Sequence, residues 1–137
     1  MASFVDGTSN TVIISELIAG KCDVISSECS PWDLRGVWVQ PFMGSHAYTH
    51  FLTPNSSSPD DFIYCPNPTG YDDPMIPCVR SFGGNLWLAY VAARSFHPGG
   101  VNALYGDGHV RFHADSIDLF LWQALSTIDG SETISGP

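Results

Sequence analysis

The chain has 137 residues, enough for one domain whose single core buries about two-thirds of its unfolded surface. Thirteen glycines, ten prolines and only 14% charged residues describe a loop-rich globular chain, not a helical bundle. Five Lys and Arg against 14 Asp and Glu, a formal charge of -9, exclude a phosphate-binding face and with it nucleic acid; the same charge suits a secreted protein, a binder of divalent cations, or plain solubility.

The opening, MASFVDGTSNT, has neither a basic start nor an apolar run long enough for export or for spanning a bilayer. No membrane contact is therefore expected of it, and an extracellular location requires an export segment upstream. Asp6-Gly7 supplies turn chemistry, and the β-branched, apolar stretch Thr11 to Leu17 follows as a strand. A short helix capped by Ser9 or Asn10 is the competing assignment. RGVWVQPF, Arg35 to Phe42, is a second strand, closed by Pro41. Met43 to Ser81 is mostly loop, because TPNSSSPDD and CPNPTGYDDPMIPC are saturated with turn-forming residues. A loop that long in a compact domain is functional or is pinned by cross-links.

The C-terminal third is patterned most clearly. Val101 to Tyr105 and His109 to His113 flank GDG, a hairpin in which Gly106 or Gly108 takes a positive φ. Val101, Ala103 and Tyr105 share one face of the first strand. On the second, Val110 and Phe112 are expected toward the core, with His109, Arg111 and His113 on the opposite face. DSIDLFLWQALST then reads as a helix, capped by Asp115 or Ser116, with Asp118 favouring its N-terminus. Ile117, Phe120, Leu121, Trp122 and Leu125 make its buried stripe. The whole is an α+β fold, 1–137 forming a single domain: an antiparallel sheet with a C-terminal hairpin, a packed helix, and long loops.

The four cysteines form two local sets, Cys22 with Cys29 and Cys65 with Cys78, and no Cys-x-x-Cys occurs. An even count in Gly/Pro-rich loops favours two disulfides and an oxidising compartment over free thiols or a metal site. Four cysteines allow three pairings; the local one would pin the long loop through Cys65 and Cys78.

FVDGTSNTVIISE, TPNSSSPDD and ARSFHPGGVNALYGDGHVRF followed by DSIDLFLWQAL resemble a large planctomycete family of prepilin-like secreted proteins, also labelled a family-10 bacterial extracellular solute-binding domain. Its signature, a His, nine residues, then Asp-Gly, is matched by His97 and Asp107-Gly108, and the likeness runs from Phe4 to about Glu132. The resemblance implies a pilin- or pseudopilin-like globular head, the C-terminal part of a longer exported protein whose pilin helix lies upstream. It also implies other pilin-like or secretion-apparatus subunits as partners, and it raises calcium in a loop. His109 and His113 depart from the family pattern, so nothing they do is carried by the resemblance.

Candidate chemistry sits on a few residues. His97, ahead of two glycines, is expected as a structural pin with Asp107 as partner, a metal ligand being the alternative; no Ser or Cys elbow accompanies it for catalysis. His109 and His113 lie roughly 13 Å apart along a strand, too far to share one ion. His46 and His50 in SHAYTH are four apart without the Glu of a His-Glu-x-x-His zinc helix. Asp6, Asp60, Asp61 and Asp107, with His97, are the candidate metal set, and calcium is the ion that Asp/Asn-rich loops suit. Trp38 and Trp122 are expected in the core. Trp87, Tyr64 and Tyr71, with Asn55 and Asn102, are the candidate ligand-binding set for stacking against a glycan. Three readings follow: a non-enzymatic extracellular pilin-like subunit, an extracellular module binding polysaccharide or another solute, and a small histidine-based metalloenzyme.

Overall fold

A computed structural model describes residues 4–20, 33–37, 43–66, 73–80 and 88–130. Cys22, Cys29, Trp32, Trp38, Tyr71, Asp72 and Trp87 lie outside the described residues, and with them the expected Cys22–Cys29 pair.

The architecture is α+β. Three antiparallel strands, β1 (Val12–Ser15), β4 (Gly100–Tyr105) and β5 (Val110–Ala114), form a sheet in the order β1-β4-β5. Two short strands, β2 (Asp60–Asp61) and β3 (Cys78–Val79), pair in parallel, and Asp61 also bridges Tyr90. One helix, α1 (Leu119–Ala124), follows β5. The Thr11–Leu17 stretch is thus a strand and not a capped helix. Its register shifts between Val12 and Ile14, a bulge that turns both Ile13 and Ile14 outward.

The hairpin forms where its pattern places it. Gly108 takes a φ of 92° and closes the turn, while Gly99, at 81°, swings the chain into β4. At Gly100 a side chain would collide with the His113 carbonyl of the neighbouring strand, so glycine is required there by close approach.

The facing of β5 is the reverse of the expectation. Val110 and Phe112 are exposed, and His113 is buried against the core. The register explains it: Val101 pairs with His113, Ala103 with Arg111, and Tyr105 closes on His109. Cross-strand partners project from the same side of a sheet. His109, Arg111 and His113 therefore share the side of Val101, Ala103 and Tyr105; of the three only His113 is buried, while His109 is half-buried and Arg111 is exposed.

Two further expectations are corrected. The start of the Arg35–Phe42 strand is instead a turn at Arg35 and Gly36, with the Val37 amide donating to the Leu34 carbonyl and Gly36 at a φ of 76°; the rest of that strand, 38–42, lies outside the described residues. The helix starts later than expected. Asp118 is its cap, accepting from the Leu121 amide, because the Asp115 carboxylate is engaged by the Asn55 side-chain amide at 2.8 Å. Phe120 consequently points to solvent, while Trp122 is fully buried and Leu125 nearly so.

The core has two parts. One gathers Val12, Ala93, Val101, Ala103, Tyr105, Trp122 and Leu125 between the sheet and α1. The other gathers Phe62, Val91 and the disulfide Cys65–Cys78, which pins the long loop as expected. Tyr64 packs against this second cluster.

Between them lies a buried ionic network. Both oxygens of Asp60 are taken: Arg94 donates from Nη2 to Oδ1 (2.9 Å) and from Nε to Oδ2 (3.1 Å), and Arg35 donates from Nη1 to Oδ2 (3.0 Å). The Ala92 amide adds a bond to Oδ1. Asp33 accepts the other edge of the Arg35 guanidinium, with Nη2 to Oδ2 at 2.6 Å. Further guanidinium protons go to the carbonyls of Ile76, Ser56, Ser58 and Met75. Burial opposes the Arg35 charge, but the bonds and charge of Asp33, with the charge of Asp60, outweigh it and hold the guanidinium above its ordinary pKa.

Two stability outcomes follow from this arrangement. Replacing Cys65 and Cys78 by Ala together should lower unfolding free energy by about 2–4 kcal/mol in urea titrations, since the cross-link restricts the unfolded loop; an unchanged midpoint contradicts this. Asp60→Asn should cost about 3–5 kcal/mol, because two buried guanidiniums lose their shared counter-charge; a loss under about 1 kcal/mol, the scale of an exposed pair, would show the network to be dispensable.

Candidate functional site

An open groove of about 400 Å³ is lined by Glu16, Leu17, Ile18, Ala19, Arg94, Ser95, Phe96 and His97. Its two walls are the chain leaving β1 and the chain approaching Gly99. They meet where the Arg94 amide donates to the Glu16 carbonyl at 2.9 Å. Ser95 anchors the second wall: its hydroxyl donates to the Gly100 carbonyl at 2.7 Å, and its amide donates to the Asn55 side-chain oxygen at 2.8 Å.

At the mouth stands a carboxylate–imidazole pair. Glu16 Oε2 accepts the Asn102 amide at 2.7 Å, and Oε1 lies 3.1 Å from His97 Nε2. His97 is therefore partnered by Glu16 across the groove, not by Asp107, and it is about half exposed rather than buried. Asp107 is spent on the next turn residue, with its Oδ1 2.6 Å from His109 Nδ1. Backbone and side-chain bonds from His109 hold its carboxyl below the ordinary range. The His109 ring stacks on Tyr105 at 4.3 Å.

The remaining candidates fall into different places. Asp6 Oδ2 accepts from the Gly130 amide and the Thr127 hydroxyl, tying the start of the chain to the segment after α1. Asp60 is saturated by the two arginines, and Asp61 is buried in the backbone bridge to Tyr90. As a calcium set these carboxylates do not fit one ion. Among the described residues no group of three or more His, Cys, Asp or Glu side chains converges to hold a metal. Asn55, with a φ of 48°, links the long loop to the hairpin base, and Asn102 lies beside Glu16. The ligand-binding set is not assembled among the described residues: Tyr64 packs on the disulfide core, while Trp87 and Tyr71 fall outside them.

A second histidine pair lies in the interior. His50 stacks on Trp122 at 3.8 Å, its Nδ1 bonds the Trp122 carbonyl, and Tyr48 Oη is 3.1 Å from its Nε2. A carbonyl only accepts, so Nδ1 carries the proton and Nε2 accepts from the tyrosine: this is a neutral imidazole. His113, on the other strand, bonds the Tyr105 hydroxyl at 2.8 Å and tilts against the same indole. Burial lowers the pKa of both histidines, that of His50 to about 4. His46 is exposed, so the SHAYTH pair does not share a face.

Glu16, Arg35 and Arg94 were not singled out by sequence patterning as site-forming, and His50 was weighed only with His46 as a metal pair, not as a partner of Trp122. The one available signal was Arg94 itself, a charge that ends the apolar run Val91–Ala93 and therefore needs a buried partner.

Fold and site thus define a small α+β domain with a disulfide-pinned loop and a shallow polar-mouthed groove. The model of the SBP_bac_10 family, described as a protein of unknown function (DUF1559), matches residues 1–119, and the chain belongs to this family. No curated protein and no solved structure matches the chain. Among the described residues no helix is long and apolar enough to cross a membrane.

The buried histidines set a pH dependence. The unfolded His50 imidazole takes up its proton near 6.5 and the folded one only near 4, so the unfolded chain binds the proton first as pH falls. Stability should be full above about pH 6.5 and decline toward pH 4, with His50 accounting for about 3 kcal/mol. Urea titrations from pH 7.5 to 4 should show this slope, and His50→Phe, which keeps a ring on Trp122 but does not titrate, should flatten it. An equally steep slope in the variant would remove His50 as its source.

Proposed function

We propose that this chain is a non-enzymatic, extracellular pilin-like domain that serves as a surface-fibre or secretion-apparatus subunit, packing neighbouring subunits on the outer face of its sheet. The observation that carries the reading is a row of apolar residues across all three strands. Ile14 pairs with Leu104, and Leu104 pairs with Val110. Ile14 is 56% exposed, Val110 59% and the adjacent Phe112 52%. A solvated sheet face ordinarily alternates to polar residues, and a contiguous exposed apolar patch marks an interaction surface. The disulfide and the solute-binding family name support an oxidising, extracellular setting.

A second reading, a module binding polysaccharide or another extracellular solute, is favoured by the groove at Glu16 and His97, whose volume suits a small ligand. In both readings a calcium ion on loop oxygens other than those of Asp60 is a further proposal.

The assembly reading is tested with Val110→Lys/Phe112→Glu. Both side chains are exposed, so stability should change by under about 1 kcal/mol. Sedimentation should show concentration-dependent self-association, or capture of a pilin-like subunit, by the natural chain and not by the variant. A natural chain that stays monomeric and captures no such subunit defeats the reading. For calcium, the expected result is a melting temperature that rises on addition of the ion and falls back with EDTA. An unchanged transition removes calcium from the proposal.

A further inference from the structure

The groove's lining narrows what it can hold. We infer that the groove between Glu16–Ala19 and Arg94–His97 is a site for an organic ammonium ion, a protonated amine carried on an apolar body. This rests on the ligand-binding reading given above.

The Glu16 carboxylate is the anionic element, and it is already oriented. The Asn102 amide holds Oε2 at 2.7 Å and His97 holds Oε1 at 3.1 Å, so little side-chain freedom remains to be lost on binding. The Asn102 side-chain amide also approaches both oxygens, but only at 3.5 Å; a carboxylate offers about four lone-pair sites, so an N–H donor can take the place of that long contact. Its side chain is partly open to solvent, as an incoming ligand requires.

Phe96 is the second element. Its ring is 75% exposed and lines the same groove, although a phenylalanine gains nothing from standing in water. A groove lined by both an aromatic ring and a carboxylate offers an ammonium group charge from one and the ring quadrupole from the other. Leu17, Ile18 and Ala19 supply an apolar wall for the rest of the molecule. The fourth consideration is charge. Arg94 lines the groove, yet its guanidinium is bound to Asp60 and to backbone carbonyls, so it presents no free positive charge to repel a cation. The formal charge of -9 draws cations toward the chain and disfavours anionic solutes.

Three probes of equal length separate charge from shape: n-hexylammonium, 1-hexanol and hexanoate, titrated into the intact chain while backbone amide resonances are followed. The expected result is that hexylammonium shifts the amides of Leu17, Ser95, Phe96 and His97, and binds at least about tenfold more tightly than the other two. Phe96→Ala, an exposed substitution that leaves the fold intact, should weaken hexylammonium by about two- to fivefold, the scale of an exposed cation–π contact. Glu16→Gln should abolish the preference for the cation, provided its spectrum retains the dispersed Trp122 and His113 signals of the folded chain. Groove shifts produced equally by hexanol or hexanoate overturn the ammonium class but leave a binding groove. A hexylammonium response unaltered by either substitution also overturns it. Silence at these amides with all three probes overturns both the inference and the ligand-binding reading on which it rests.

Discussion

Asp60 sits between Arg35 and Arg94 with no access to water, and the segments that carry both arginines are tied together through that one carboxylate. Charges taken out of water are costly unless every bond they lose is replaced. Here the replacement is nearly complete: two guanidiniums, a second carboxylate from Asp33, the Ala92 amide and several loop carbonyls close the network. The described parts of the long loop are irregular in backbone yet tied to this network. Its carbonyls at Ser56, Ser58 and Ile76 are ligands of the arginines, and the disulfide fixes the far side. The groove inherits this rigidity. Arg94 is anchored through its side chain on Asp60 while its amide holds Glu16, so the network and the groove share one residue.

The other organising element is Trp122. A helix of six residues has no stability of its own in water, because nucleation outweighs so few hydrogen bonds. What keeps α1 in place is the burial of Trp122 against the sheet, with His50 stacked on the indole and bonded to its carbonyl. His113 reaches the same ring from β5. Two neutral histidines in contact with one buried indole give the domain a core that tolerates neutral water better than acid. The indole Nε1 is itself buried without a hydrogen-bond partner, so the polar accounting at this point is not fully closed.

The hairpin was legible in the sequence because turn chemistry and alternation are local, and the α+β class followed from it. The facing of β5 was also legible, had the register been followed through the turn: a three-residue Gly-Asp-Gly connection pairs Tyr105 with His109, and that pairing alone puts His113 inside. Preference for burying Val and Phe over His gave the opposite assignment, and cross-strand geometry overruled it. The helix cap was missed because Asp115, Ser116 and Asp118 are equally good caps by chemistry, and only the bond from Asn55, sixty residues away, removes Asp115. The site was the least readable part. Glu16 meets His97 across 81 positions, and Asp60 meets Arg94 across 34. No local pattern tells which of 14 acidic residues is matched to which cation. The cysteine pair was readable because its partners are close in the chain.

The inward use of arginine has a consequence for digestion by proteases. Enzymes that cut after basic residues need an accessible lysine or arginine on a segment able to unfold into their cleft. This chain has five such residues in all, and Arg35 and Arg94 are sealed in the core. Of the others, Arg111 is held within strand β5 and Arg80 reaches back to the Ile63 carbonyl. Among the described residues, a trypsin-like protease finds Arg35 and Arg94 withdrawn into the interior and Arg111 within a paired strand, which leaves exposed Arg80 as the point it can reach.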